Sequence, residues 1–268
     1  MGSLVKHELY KIGSNKIALS ITFLFVPIYI YFTYLHYTWN PQAIAWERIV
    51  DFPYSIGSMF EGIIIILALS SSFTQEYAFQ MDSIIRSTKY GRTQAVTAKI
   101  IAALFFITIV VLGFWFMNIG VNIWMAGGIA GMSLPLYELE RYVQSPYSMS
   151  VWQYCLIQIL TNLLGCIVLS LFTLFLSVRN KSILVVFFIS GIVFVIPFLI
   201  HNFSELSLIW GMKNLLFTDL MRVENMFNRP RFIYKGDWTV NINIWFFYVY
   251  ICSLSMFFLL NIHQRGGR

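Results

Sequence analysis

The sequence predicts an all-α polytopic membrane protein: six transmembrane helices, a short amphipathic helix ahead of the first, and short helices between spans five and six. Three observations carry this expectation. Of the 268 residues, 58% are hydrophobic and only 11% charged, against about 25% charged in an ordinary soluble domain. Such a chain has too few polar residues to cover a water-facing surface. Long uncharged stretches separate the charges, and about 20 apolar residues suffice to cross the hydrocarbon core. Stretches such as Gly62–Leu69 and Ile183–Phe188 are apolar at every position, whereas barrel strands alternate. The same composition excludes a disordered chain, and three cysteines in this length exclude a disulfide-built scaffold. Residues 1–268 read as a single transmembrane domain.

The elements follow in order. Within residues 3–16, Val5, Leu9 and Ile12 share one helical face, while Lys6, His7 and Lys11 lie on another. Glu8 sits at the boundary and Gly13 weakens the far end. Two readings stay open: a helix lying on the membrane surface, or a plain positive flank. The spans are expected at 17–37, 55–74, 100–124, 152–178, 183–201 and 241–262. Glu61 falls inside the second. An intramembrane acid is costly and tends to face a cavity or partner, so Glu61 is a candidate pathway residue. The open alternative is that it snorkels to the nearby headgroups.

Residues 75–99 are long for a mere connection. They mix Phe79, Met81, Ile84 and Ile85 with Asp82, Arg86 and Lys89, and Tyr90-Gly91 breaks the pattern before Arg92. A short amphipathic helix suited to docking on a partner protein is one reading; a solvated basic loop is the other. In residues 202–240, Ile209, Met212, Leu216, Leu220, Val223 and Phe227 recur at helical spacing. Lys213, Asp219 and Glu224 make this segment too charged to span. Asn228 to Asp237, with Pro230 and Gly236, reads as the loop returning to the last span.

Charge fixes the expected orientation. With the N-terminus inside, the inner segments hold Lys6, Lys11, Lys16, Arg86, Lys89, Arg92, Lys99, Arg179, Lys181, Arg265 and Arg268, against only Glu8, Glu76 and Asp82. The outer segments hold more acids than bases. The positive-inside rule therefore places both termini in the cytoplasm. The bases sit at span flanks rather than in a patch, so the net charge of +6 does not indicate nucleic acid.

No motif for catalysis or metal binding stands in this sequence, and no phosphate-binding loop; no cofactor is expected on this chain. Cys155, Cys166 and Cys252 read as buried packing residues. Trp39, Trp46, Trp152, Trp238 and Trp245 lie near the ends of spans, as an interfacial belt requires. Gly113, Gly120, Gly127, Gly128, Gly131 and Gly165 read as sites of close helix approach.

One local pattern carries a resemblance. Phe73-x-x-Glu76 follows the second span, Ser87-Thr88-Lys89-Tyr90-Gly91-Arg92 comes next, and Lys99 opens the third span. With the basic amphipathic start and six spans, this resembles the permease subunits of type 2 ABC transporters, which often read F-x-x-E, then a turn like S-T-P-x-x-R, then a lysine. Lys89 stands where the family usually has proline. The topological likeness covers the whole chain; the local motif covers residues 73–99. The resemblance implies that residues 3–16 form an elbow helix and that 76–92 contain a coupling helix docked on a separate ATP-binding subunit. It implies Glu76, Asp82, Arg86, Lys89 and Arg92 as the docking charges, and short extracellular helices over 205–228. It also implies a second permease subunit, ATP and magnesium held by the partner, and export across a bacterial plasma membrane of an amphiphilic, lipid-like, peptide or drug-like cargo. The rival readings are a secondary transporter or channel, and a membrane adaptor that moves nothing.

Overall fold

A computed structural model describes residues 1–40, 43–81, 91–143, 145–202, 232–235 and 238–266. Helix α1 spans Gly2–Gly13 and buries Ile12, with Val5 and Leu9 half-buried beside it. Lys6 and His7 point away. The apolar face therefore packs on the bundle, as its spacing predicts. Asn15 then turns the chain. Its Oδ1 accepts from Ile17 N at 3.1 Å and Ala18 N at 3.4 Å, capping α2. Its Nδ2 donates to the Leu67 carbonyl at 3.2 Å, pinning the corner to the second span.

Helix α2 (Lys16–Trp39) buries a single stripe, Ala18, Phe25, Tyr29 and Thr33. Ile17, Leu19, Phe23, Leu24, Tyr31 and Phe32 on its other faces are exposed, as a lipid-facing helix should be. A short helix α3 (Ala45–Val50) follows, which the sequence reading left within a connection. Its Ala45, Trp46, Ile49 and Val50 are buried. This corrects one expectation. Trp46 is not an interfacial belt residue: it is 6% exposed and its Nε1 donates to the Ile129 carbonyl at 3.2 Å. Trp39, by contrast, is 81% exposed.

The second span is not one smooth helix. Helix α4 (Ile56–Ser70) breaks at Ser71–Phe73 and continues as α5 (Thr74–Ala78). The break is repaired from outside. Ser177 Oγ accepts from Phe73 N at 3.0 Å and Thr74 N at 3.3 Å, and lies 3.3 Å from the Ser70 carbonyl. A Ser177→Ala change leaves both buried N–H groups without this acceptor, which should cost about 1–3 kcal/mol. Unfolding in mixed micelles measures it; a loss below a few tenths of a kcal/mol would refute the role.

Helix α6 runs from Gly91 to Met125, nine residues longer at its start than the expected span. At about 1.5 Å per residue it is some ~52 Å long, well beyond the ~30 Å hydrocarbon core. Its extended first turns carry Arg92 and Lys99, ahead of the expected span start at residue 100. Helix α1 packs on this extension. Helices α7 (Val151–Arg179), α8 (Ile183–Asn202) and α9 (Ile242–Gly266) complete the bundle. Helix α7 is central, packing on α4, α6, α8 and α9. By length and hydropathy five helices qualify as membrane spans, at Lys16–Trp39, Ile56–Ala78, Gly91–Met125, Val151–Arg179 and Ile244–Gly266. The remaining expected span is α8, whose described apolar part is Ile183–Ile196.

The purely helical expectation fails at one place. Before α9, strands β1 (Phe232–Lys235) and β2 (Trp238–Asn241) pair antiparallel, Phe232 opposite Asn241 and Lys235 opposite Trp238. Aromatic and β-branched residues of the kind that favour strands make up much of both segments, where only a loop was expected. The short helices expected over 205–228 lie outside the described residues.

The glycine expectations also change. An added Cβ at Gly113, Gly120 or Gly128 meets nothing within 4 Å, so these do not mark close helix approach in this chain. Gly62 does: its Cβ would sit 2.2 Å from the Phe194 ring of α8. Cys155 and Cys166 are buried, but Cys252 is exposed.

Candidate functional site

A buried cluster of four charged residues lies where α1, α5 and α6 meet. Lys99 is its centre, with a side chain only 1% exposed. Its Nζ lies 2.6 Å from Glu76 Oε1 and 3.0 Å from Glu8 Oε2, and donates to the Ser72 carbonyl at 2.9 Å. The three ammonium protons thus have three acceptors. The Phe73 ring adds a face 5.3 Å away. Lys11 stands at 3.8 Å from Glu76. Burial holds its ammonium below the usual lysine value, and the Lys99 charge adds to this. Two cations and two carboxylates balance, as a partly buried ionic cluster requires.

Phase explains why Lys99 is inside. Val96, Lys99, Ala103 and Ile107 fall on one stripe of α6, and all four are buried. Lys99 therefore belongs to the packed face rather than to a connection. Glu8 reaches it because α1 lies along α6. Glu76 reaches it because the break at Ser71–Phe73 turns α5 towards α1.

Among the expected docking charges, Glu76 is thus engaged inside the protein, with a side chain 17% exposed. Arg92 lies two turns before Lys99 on the same stripe of α6 and donates from Nη2 to Tyr77 Oη at 3.2 Å. Tyr77 Oη in turn donates to the Val178 carbonyl of α7 at 3.2 Å. Asp82, Arg86 and Lys89 lie outside the described residues. The structure brings together Glu76 with Glu8, Lys11 and Lys99, none of which was an expected site residue. Lys99 was legible in principle, since it continues the apolar stripe of its own helix.

Glu61 is fully buried between α4, α6 and α7. Its Oε2 accepts from Asn162 Nδ2 at 3.3 Å, and Asn162 Oδ1 accepts from Trp115 Nε1 at 2.9 Å. Nearer the opposite end of the bundle, Tyr29 donates to Asn118 Oδ1, Asn118 Nδ2 donates to the Ile49 carbonyl at 3.1 Å, and Tyr37 donates to Asn122 Oδ1 at 3.1 Å. This second network ties α2, α3 and α6 together.

Outside that network opens a vestibule of about 600 Å³ lined by His36, Trp39, Glu47, Arg48, Asp51 and Glu140. Burial raises the carboxyl of Asp51 above the usual range, while Arg141 beside it pulls the other way. Glu47 is raised by burial and by the neighbouring Asp51.

Long apolar helices that bury polar residues towards one another and present apolar residues outward define a multi-pass helical membrane protein. No known family, no curated protein and no solved structure matches this sequence.

Proposed function

We propose that this chain is the membrane-spanning permease subunit of an ATP-driven ABC exporter. It works beside a second permease subunit and is powered by separate ATP-binding subunits that hold ATP and magnesium. Both termini face the cytoplasm of a plasma membrane in this reading. The single observation that supports it most is the Lys99 cluster. It joins the surface helix α1, the α5 end of the second span and the start of the third, on either side of the segment 82–90. A push delivered to that segment would reach α1 and two spans together. Any driven change of this kind works by favouring one of two packings of the spans.

The cargo in this reading is an amphiphile. Glu61, buried at the end of the polar chain Glu61–Asn162–Trp115, is the intramembrane group best placed to respond to it. Co-purification tests the class. The tagged chain, expressed from its native membrane, should retain a P-loop ATPase whose basal hydrolysis falls several-fold with Asp82→Ala or Arg86→Ala. Recovery without an ATPase, together with proton-driven flux by the chain alone in vesicles, would overturn the reading in favour of a secondary transporter. A bound ATPase that moves nothing would favour an adaptor. Glu61→Gln should keep the Asn162 contact and change transport-coupled ATPase activity by about tenfold, the effect of a 1.4 kcal/mol difference. Activity equal to the parent would remove Glu61 from the pathway.

A further inference from the structure

A groove of about 490 Å³ runs along the flank of the bundle between α2 and α6. Its walls are apolar along their whole length, with Thr22 the one hydroxyl among them. That hydroxyl donates to its own helix, to the Ala18 carbonyl at 2.9 Å, so the groove offers no unpaired polar group. It is open sideways: Leu19 is 45% and Ile109 62% exposed. Gly113 shapes its floor, and an added Cβ there meets nothing within 4 Å.

The groove has the length of one leaflet. Its α2 wall runs from Ala18 to Val26 and its α6 wall from Phe106 to Met117, about 12 Å and 17 Å at the helical rise. One leaflet of a ~30 Å hydrocarbon core is about 15 Å deep. One end is closed by Ile12 and Gly13, the last residues of α1. At that end the charge is positive. Lys16 is exposed and makes no ion pair among the described residues, whereas Lys11 is engaged by Glu76. Glu8, the acid nearest in sequence, is held by Lys99.

We propose that this groove is a binding site for one anionic phospholipid, with an acyl chain lying between α2 and α6 and its phosphate at Lys16. Three features select this occupant. The apolar walls match a hydrocarbon chain, and their length matches one leaflet. The exposed Lys16 lies in the chain between Gly13 and Ala18, which line that end of the groove, and anionic headgroups are attracted to such residues near the bilayer surface. A bound chain would also wedge the surface helix α1 against the first span, so the lipid would brace the corner that carries the Lys99 cluster. The inference does not depend on the transporter reading.

The test is native mass spectrometry of the full chain in mild detergent, titrated with phosphatidylglycerol and with phosphatidylcholine of the same chains. The parent should hold one phosphatidylglycerol about fivefold more tightly than phosphatidylcholine, the effect of one interfacial lysine. Lys16→Gln, an exposed change that leaves the fold intact, should erase that preference while chain binding survives. Gly113→Phe fills the floor and should remove the retained lipid of either headgroup. Equal affinity for the two lipids in the parent, or unchanged retention in Gly113→Phe, would overturn the proposal. A lipid-free dimer that Gly113→Phe dissociates would assign the groove to a second copy of the chain instead.

Discussion

Replacing Lys99 by alanine should destabilise the protein by about 3–5 kcal/mol, the cost of breaking a buried ionic cluster from one side. The substitution leaves Glu8 and Glu76 facing each other across the vacated site, with the partly exposed Lys11 alone among the described residues to answer them. It also leaves the Ser72 carbonyl without its donor. The damage has a direction. Helix α1 is attached to α6 largely through Val5, Leu9, Ile12 and this cluster, so α1 should detach first. Protease accessibility of residues 2–13 should therefore rise before the spans unfold. A charge-balanced variant separates the ionic from the steric part. Lys99→Met combined with Glu8→Gln and Glu76→Gln removes the uncompensated charge and keeps the bulk. It should recover most of the loss, since well-packed neutral replacements of buried ion pairs are often tolerated. Unfolding in mixed micelles reads both. If Lys99→Ala costs less than about 1 kcal/mol, the range of an exposed pair, the cluster is not structural.

The spans were legible because the membrane imposes a coarse rule: charge stays near water. Gaps between charges located every long helix to within a few residues, except where the rule fails. It fails at Lys99. A lysine was read as a marker of the aqueous side, yet it lies inside, because α1 and α5 bring carboxylates to it from far along the chain. Nothing within residues 91–99 contains Glu8. The phase of the stripe Val96–Lys99–Ala103 was the one local signal, and it only becomes decisive once α6 is known to begin at Gly91. Trp46 fails for a related reason. Its distance from the nearest span suggested an interface, but helix α3 folds it back onto the bundle. Glu61 is the contrary case. Its intramembrane position was visible from the sequence, but its partner Asn162 and the Trp115 that holds Asn162 were not, since they lie on two other helices.

The second large effect is expected at Gly62. A Gly62→Val substitution should destabilise the bundle by about 1–3 kcal/mol or more, the range for overpacking a filled core. The reason is contact between helices rather than backbone freedom. The tip of the Phe194 ring meets the α4 backbone at Gly62, and an added Cβ would stand 2.2, 2.5 and 2.6 Å from its Cζ, Cε1 and Cε2. Phe194 is itself fully buried, so the ring has little room to yield. Either it leaves its rotamer or α8 moves away from α4. The pair can be tested as a cycle. Phe194→Ala alone should cost about 3–5 kcal/mol through the cavity it leaves. In a Phe194→Ala background, Gly62→Val should cost far less than in the parent, because the obstructing ring is gone. The coupling between residues in contact reaches about 0.5–3 kcal/mol, and here it should lie at the upper end. Additive losses would show that Phe194 does not rest on Gly62. The same cycle bears on movement: a ring seated on a bare backbone holds α8 at one fixed distance from α4, so any rearrangement that separates these helices must first lift Phe194 out of that seat.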